Sequence, residues 1–390
     1  MTSMFEGCRK MESYNLEHFN TEKVTSMAEM FYINSNLKHL DLTSFKVPKL
    51  TTVNYMIANC PALETVTWRD PNSLAITNMS YMFHEDDSLK TVNMEGWDTS
   101  KVTTMAGMFR GCDSLEELNL DINLSKVTTT ENMFNECPKI NNITFTNNDA
   151  PALTTMAYMF RNCSSLEEIR MPGLIGAAVT NMNAAFQGCS SLRVLDLENF
   201  LATKVTNATS LFEKCKNLEV IRLGFNSQLT TMANMFNDCP KLTELSIPNL
   251  DTRAVTDMSY AFANNPNLEI LNIGENFSTA NATNLSYMFA NTSKLKLPLD
   301  KIATSEAQNM AGMFQNCPLT QDDLNNIKAF DTAKATNMSN LFDGCNLPEE
   351  IDLSGMDMTS VTNLDNMFAN NPLVKSVNVA NMKYTPDANM

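Results

Sequence analysis

Apolar and polar positions along this chain follow one short pattern that returns from end to end. The clearest stretch runs Val102-Thr-Thr-Met105-Ala-Gly-Met108-Phe109, in which Met105, Met108 and Phe109 stand at i, i+3 and i+4. That spacing puts the three on one face and predicts a short helical turn, ended by Gly111-Cys112. Leu115-Glu-Glu-Leu118-Asn-Leu120 follows, with Leu118 and Leu120 alternating with polar neighbours. A period of two marks a strand with one buried face. Leu192-Arg-Val-Leu195-Asp-Leu197 and Leu268-Glu-Ile-Leu271-Asn-Ile273 repeat the strand signature. An apolar anchor and polar turn come next, as at Trp97-Asp98-Thr99, Phe200 and Phe330-Asp331-Thr332. The predicted unit is strand, turn, a second extended segment of the Val-Thr-Asn-Met kind, and a helical turn.

The Phe of the Met-Phe pair locates every unit, from Phe5 and Phe31 through Phe160 to Phe368, with Ile57 filling the one gap. The usual spacing is 26 residues, with extremes at 24 and 28. One such unit cannot bury its apolar side alone, whereas stacked neighbours can. The expected fold class is therefore α/β: a leucine-rich-repeat solenoid of about fifteen coils, with a parallel sheet on one side and short helical turns on the other. A single solenoid spanning 1–390 is expected, cut through a coil at both ends, because Met1 and Met390 fall at the first Met position of the motif. Local irregularities are expected at Leu295-Lys-Leu297-Pro-Leu299, where a coil is compressed, and at 319–330, where one is stretched.

The consensus Val-Thr-Asn-Met-Ser-x-Met-Phe-x-x-Cys-x-x-Leu-x-x-Leu-x-Leu resembles the BspA-type leucine-rich repeats of microbial surface proteins. More narrowly it is similar to the variant of mycoplasma-type lipoproteins, on the strength of Ile76-Thr-Asn-Met79-Ser-Tyr-Met82-Phe83, Ala282-Thr-Asn-Leu285-Ser-Tyr-Met288-Phe289 and Phe160-Arg-Asn-Cys163-Ser-Ser-Leu166. The resemblance implies display at a cell surface and attachment to host proteins or other cells.

Composition narrows the partners. A net charge of -16 and 43% hydrophobic residues describe a folded acidic protein, which disfavours nucleic acid or an anionic membrane as the main partner. No run approaches the length that spans a bilayer, and residues 1–20 hold no basic start followed by an apolar stretch.

The ten cysteines all sit three residues after the Phe (or Ile57) of their unit, the slot that Asn34, Asp86, Asn265, Thr292 and Asn371 take elsewhere. No Cys-x2-Cys pair is present for zinc, so a buried ladder of free thiols is expected. Most of the 28 methionines occupy the two Met positions of the motif and read as core. The histidines, His18, His39 and His84, belong to no recognisable catalytic or zinc pattern, and the recurring Glu116-Glu117 and Glu167-Glu168 read as a solvated strand face. No enzyme activity, cofactor or metal is expected. The candidate site is the outward strand face of the middle coils: Glu117, Asn119, Glu168, Arg170, Asp196 and Arg222, a mixed-charge patch expected on adjacent coils and suited to a protein ligand. The alternative is a rigid spacer in a larger surface protein, with no ligand of its own.

Overall fold

A computed structural model describes the chain except for residues 70, 120–121, 146–148, 171–174, 199, 225–227, 381–382 and 385–390, and except for the side chains of Asn119, Thr144, Arg170, Lys383 and Tyr384. Two compact units make it up, Met1–Lys204 and Val205–Met390.

In the first unit each unit of sequence places one short strand beside the next. They are β1 (His39–Asp41), β2 (Thr65–Thr67), β3 (Thr91–Asn93), β4 (Glu117–Asn119), β5 (Asn142–Thr144), β6 (Glu168–Arg170) and β7 (Val194–Leu197). β1 to β4 form a parallel four-stranded sheet, and β5 pairs with β6 separately. The register is fixed by the repeat: Leu40, Val66, Val92 and Leu118 face one another, as do Ile143 and Ile169. Central positions of these strands point into the core while the flanking residues point out, as the period of two requires.

The second unit continues with β8 (Val220–Leu223), β9 (Glu244–Ile247) and β10 (Ile270–Ile273). Here the two irregular coils appear where the sequence is irregular. Leu299–Lys301 forms a single 3-10 turn, and α1 (Gln321–Ile327) replaces a strand. Thr320 caps α1 by accepting from the Asp323 amide, while the Asp323 carboxylate accepts from the Thr320 amide, a reciprocal box that stops the strand from forming. Parallel pairing resumes with β11 (Glu350–Asp352) against β13 (Ser376–Asn378), and with β12 (Asp357–Met358) against β14 (Lys383–Tyr384).

The second extended segment is a parallel ladder too, as single bridges from Ser26 through Thr52, Asn78, Thr104, Thr129 and Thr155 to Asn181. A threonine two residues before the first Met fastens it. Thr103, for example, donates both its N–H (2.8 Å) and its hydroxyl (3.0 Å) to the Thr77 carbonyl of the preceding coil.

The Met-x-x-Met-Phe segment departs from expectation. It is a run of consecutive turns and not a helical turn. Gly107 and Gly111 have φ of 58° and 72°, and residues at the same two places have positive φ in every coil of the first unit from Glu29 and Ile33 to Ala184 and Gly188. Positive φ at the third residue of a turn is the type II geometry. The hydrogen bonds alternate accordingly. Met105, Gly107, Phe109 and Gly111 donate to carbonyls of the following coil at 2.8–3.2 Å, while Met108, Arg110 and Cys112 close turns onto the residue three back. A helix would direct all of these donors within its own coil, so the stack wins over the helix.

Inside, the motif phenylalanines from Phe31 to Phe342 are fully buried and stack face to face. Ring centroids are 5.2 Å apart for Phe83–Phe109, 5.4 Å for Phe109–Phe134, 5.7 Å for Phe134–Phe160 and 5.5 Å for Phe160–Phe186. Each ring contributes roughly 1.5–3 kcal/mol by burial and each pair about 0.5–1.5 kcal/mol beyond that. All ten cysteines are free thiols; nine are buried and Cys8 is half-buried. Their ladder is in place. From Cys60 onward the thiols donate to the Phe carbonyl of the coil before them, as Cys112 does to Phe83 (3.0 Å), Cys163 to Phe134 (3.0 Å) and Cys345 to Phe314 (3.0 Å).

Candidate interaction surface

The outward residues of β1 to β4 make two columns. His39, Thr65, Thr91 and Glu117 stand in register, and Asp41, Thr67, Asn93 and Asn119 stand in register beside them. The first column is held partly by its own side chains: His39 Nδ1 lies 2.9 Å from the Thr65 hydroxyl. Along the rim, Lys90 bridges Glu64 at 3.1 Å and Lys139 lies 4.0 Å from Glu116. Lys90 holds the Glu64 carboxyl below its usual range through its hydrogen bond and its charge. Both groups are exposed, so the pair adds little to stability.

Among the described residues the four-stranded sheet ends at β4, and two depressions adjoin at that edge. One, of about 610 Å³, is lined by Thr65–Thr67, Thr91–Asn93, Glu117 and Leu118. The other, of about 430 Å³, opens between β4 and β5 and is lined by Glu116–Leu118, Ile122 and Asn141–Ile143. Glu117 and Leu118 belong to both. Val66, Val92 and Ile143 contribute little beyond backbone to the floor, because their side chains are buried in the core, and the walls carry hydroxyls, amides and two carboxylates. Such a surface can offer hydrogen bonds along a row. Among the described residues no group of three or more His, Cys, Asp or Glu side chains is placed to hold a metal ion.

The six residues singled out by sequence are distributed differently from the single patch expected. Glu117 and Glu168 are exposed at the starts of β4 and β6, two coils apart, with Asn142 of β5 between them in register with Glu168. Asn119 and Arg170 end β4 and β6, with side chains outside the described residues. Asp196 is exposed on β7, and Arg222 is exposed on β8 in the second unit. Asp196 also has a local task, accepting from the Glu198 amide at 2.9 Å. Asp41 does the same for Thr43 and Asn93 for Glu95, so the last outward position of a strand recurrently forms the turn that ends it. Thr65, Thr91 and Asn142 were not singled out. Thr65 and Thr91 stand in register with Glu117 and Asn142 with Glu168, and the period of two marks all three as outward.

Five overlapping stretches, residues 1–69, 64–171, 145–226, 224–326 and 321–387, match the profile of a family described as "Mycoplasma protein of unknown function, DUF285". The chain belongs to this family. No curated protein matches it. Among solved structures it is similar to a leucine-rich cell surface protein of Faecalibacterium prausnitzii, at 18% identity over 83% of this chain and 79% of that one, with a TM-score of 0.44. It is similar also to a leucine-rich-repeat protein of Eubacterium ventriosum, at 14% identity over 75% and 74% of the two chains (TM-score 0.30). An internalin of Listeria monocytogenes shares 14% identity over 87% and 85%, with a TM-score of 0.26. The fold of this DUF285 chain is a leucine-rich-repeat solenoid, with parallel strands and very little helix. No helix among the described residues is long and apolar enough to cross a membrane.

Proposed function

We propose that this protein is a non-enzymatic, cell-surface binding module of the BspA-like, mycoplasma-lipoprotein kind, which engages a protein ligand through the outward strand face around Glu117. The observation that carries the reading is the meeting of two open, largely polar depressions on Glu117 and Leu118. A broad open surface suits a macromolecule, since small ligands prefer enclosed pockets. Thr65, Thr91 and Asn142 flank the centre, and Glu168, Arg170 and Asp196 extend the face. Arg222, on the second unit, is by itself of the residue type enriched at interface hot spots. The ligand class is a host matrix protein or a protein of another cell surface.

A second reading, the rigid spacer, is favoured by one observation: outward side chains such as Asp41, Asn93 and Asp196 are engaged in turns of their own chain. Binding of the parent, Glu117→Arg and Arg170→Glu/Arg222→Glu proteins to an immobilised panel of host extracellular-matrix proteins separates the two. Loss of binding in both variants, with unfolding curves unchanged, supports the binding module. Equal binding by Glu117→Arg moves the site off this face, and no binding by the parent supports the spacer.

A further inference from the structure

The slot three residues after the motif Phe has a chemical requirement: it must donate a hydrogen bond. Where it holds cysteine, the thiol donates to the Phe carbonyl of the preceding coil, as Cys189 does to Phe160 at 3.1 Å. Where it holds asparagine, Nδ2 does so: Asn265 donates to Phe236 (2.8 Å), Asn371 to Phe342 (2.7 Å) and Asn34 to Phe5 (2.9 Å). The Asn265 Oδ1 meanwhile accepts from the Cys239 amide at 2.9 Å.

Asp86 occupies this slot in the coil that leads into β3, and it is fully buried. Its Oδ1 accepts from the Cys60 amide at 2.7 Å, the same bond that Asn265 makes. Its Oδ2 therefore corresponds to the donating Nδ2, and it is a buried oxygen with no partner. The carbonyl it would serve is that of Ile57, which stands 29 residues back as Phe236 does from Asn265, and which accepts no hydrogen bond among the described residues. A carboxylate cannot donate, and a buried unpaired charge is costly. A carboxylic acid satisfies both the oxygen and the carbonyl.

We propose that Asp86 is a neutral carboxylic acid in the native protein, donating its Oδ2–H to the Ile57 carbonyl, and that it makes the coil entering β3 sensitive to pH. Burial pushes its pKa well above the ordinary 3.8, with Asp87 and Glu85 adding to the shift and the Cys60 amide opposing it. The titratable groups facing it from the neighbouring coils are the thiols of Cys60 and Cys112, so none of these groups is a cation. Because the folded pKa is raised, the stabilisation is complete below the unfolded value of 3.8 and is lost as pH rises through the folded value. The Leu89 amide closes a turn on the Asp86 carbonyl at 3.0 Å, so the strain of ionisation falls on the turn just before Thr91.

The test compares thermal unfolding of the full chain and its Asp86→Asn variant at a series of pH values from acid to mildly alkaline. The variant donates at every pH. Its Tm advantage should be near zero in acid and grow steadily with pH, and an infrared difference spectrum (parent minus variant) at neutral pH should show a protonated-carboxyl stretch. A Tm difference that does not change with pH, or no such band, overturns the proposal. Asp86→Cys, which restores the commonest residue of the slot, gives the same comparison if Asp86→Asn does not fold.

Discussion

Tyr81 lies against Gly107 of the next coil so closely that a Cβ on the glycine would meet the ring at 2.2 Å. The same contact recurs between Tyr287 and Gly312, also at 2.2 Å. Both tyrosines stack on a tyrosine of the preceding coil, Tyr55 and Tyr260, with centroids 4.8 Å apart. A short tyrosine stack on the turn side thus ends where a glycine leaves room for the last ring.

Gly107→Ala should therefore cost more than Gly111→Ala. Both residues have positive φ, which costs an L-residue about 1–2 kcal/mol. Only Gly107 faces a ring; the nearest atom to a Cβ at Gly111 is the flexible Glu85 Cγ at 3.3 Å. Urea unfolding of the two variants measures the difference. A Tyr81→Ala/Gly107→Ala pair should recover part of the loss, and additivity would show that the ring is not responsible.

Phe160→Ala removes the middle ring of a stack, between Phe134 and Phe186 and edge-on to Phe145. The expected cost is about 3–5 kcal/mol, the usual figure for a fully buried aromatic. Because each coil contacts its neighbours, amide exchange should rise most in the coils on either side. Uniform loosening throughout the chain would contradict nearest-neighbour stacking.

The thiols should be protected in the native protein. Burial raises the pKa of Cys163 from 9.0 to about 12, and that of Cys239 likewise to about 12. Native protein should then label slowly at pH 9, where an ordinary thiol is half ionised, with half-buried Cys8 the fastest. After denaturation all ten should label without reductant. Rapid native labelling of Cys112 to Cys189 would show that the ladder is open.

The period, the strands, the buried ladder and the outward columns were legible because each is a first-order pattern of polarity. Leu118 between Glu117 and Asn119 is enough to place a strand. The turn side was misread for a physical reason: Met105, Met108 and Phe109 have helical spacing, and three apolar residues around successive turns produce the same spacing. The discriminating signal was the residue between them. Gly107, Asn132, Asn234, Gly312 and Asn340 at one place, and Asn162, Gly188, Asn264 and Gly344 at the other, are residue types that tolerate positive φ. The depression beside Glu117 was not legible: the coil between β4 and β5 is one residue shorter than the usual 26, with Phe109 and Phe134 25 residues apart, and so small a departure does not signal it.

Asn265→Asp should transplant the chemistry of Asp86 into the second unit. Asn265 is fully buried, and its Nδ2 lies 2.8 Å from the Phe236 carbonyl, 2.7 Å from Phe262 and 3.1 Å from Ala263. Replacing that nitrogen by a carboxylate oxygen sets an acceptor against three acceptors, and leaving buried polar groups unsatisfied costs about 1–3 kcal/mol, more when one is charged. Protonation restores a single donor. The variant's folded pKa must then lie above the unfolded value near 3.9. Its deficit relative to the parent should be small in acid, should widen as pH rises above about 4, and should level off once the folded group ionises. Thermal unfolding of the parent and Asn265→Asp proteins between acid and neutral pH reads this directly. A deficit equally large at every pH would mean that shape, and not the donor, is what the slot requires, and it would remove the same argument from Asp86.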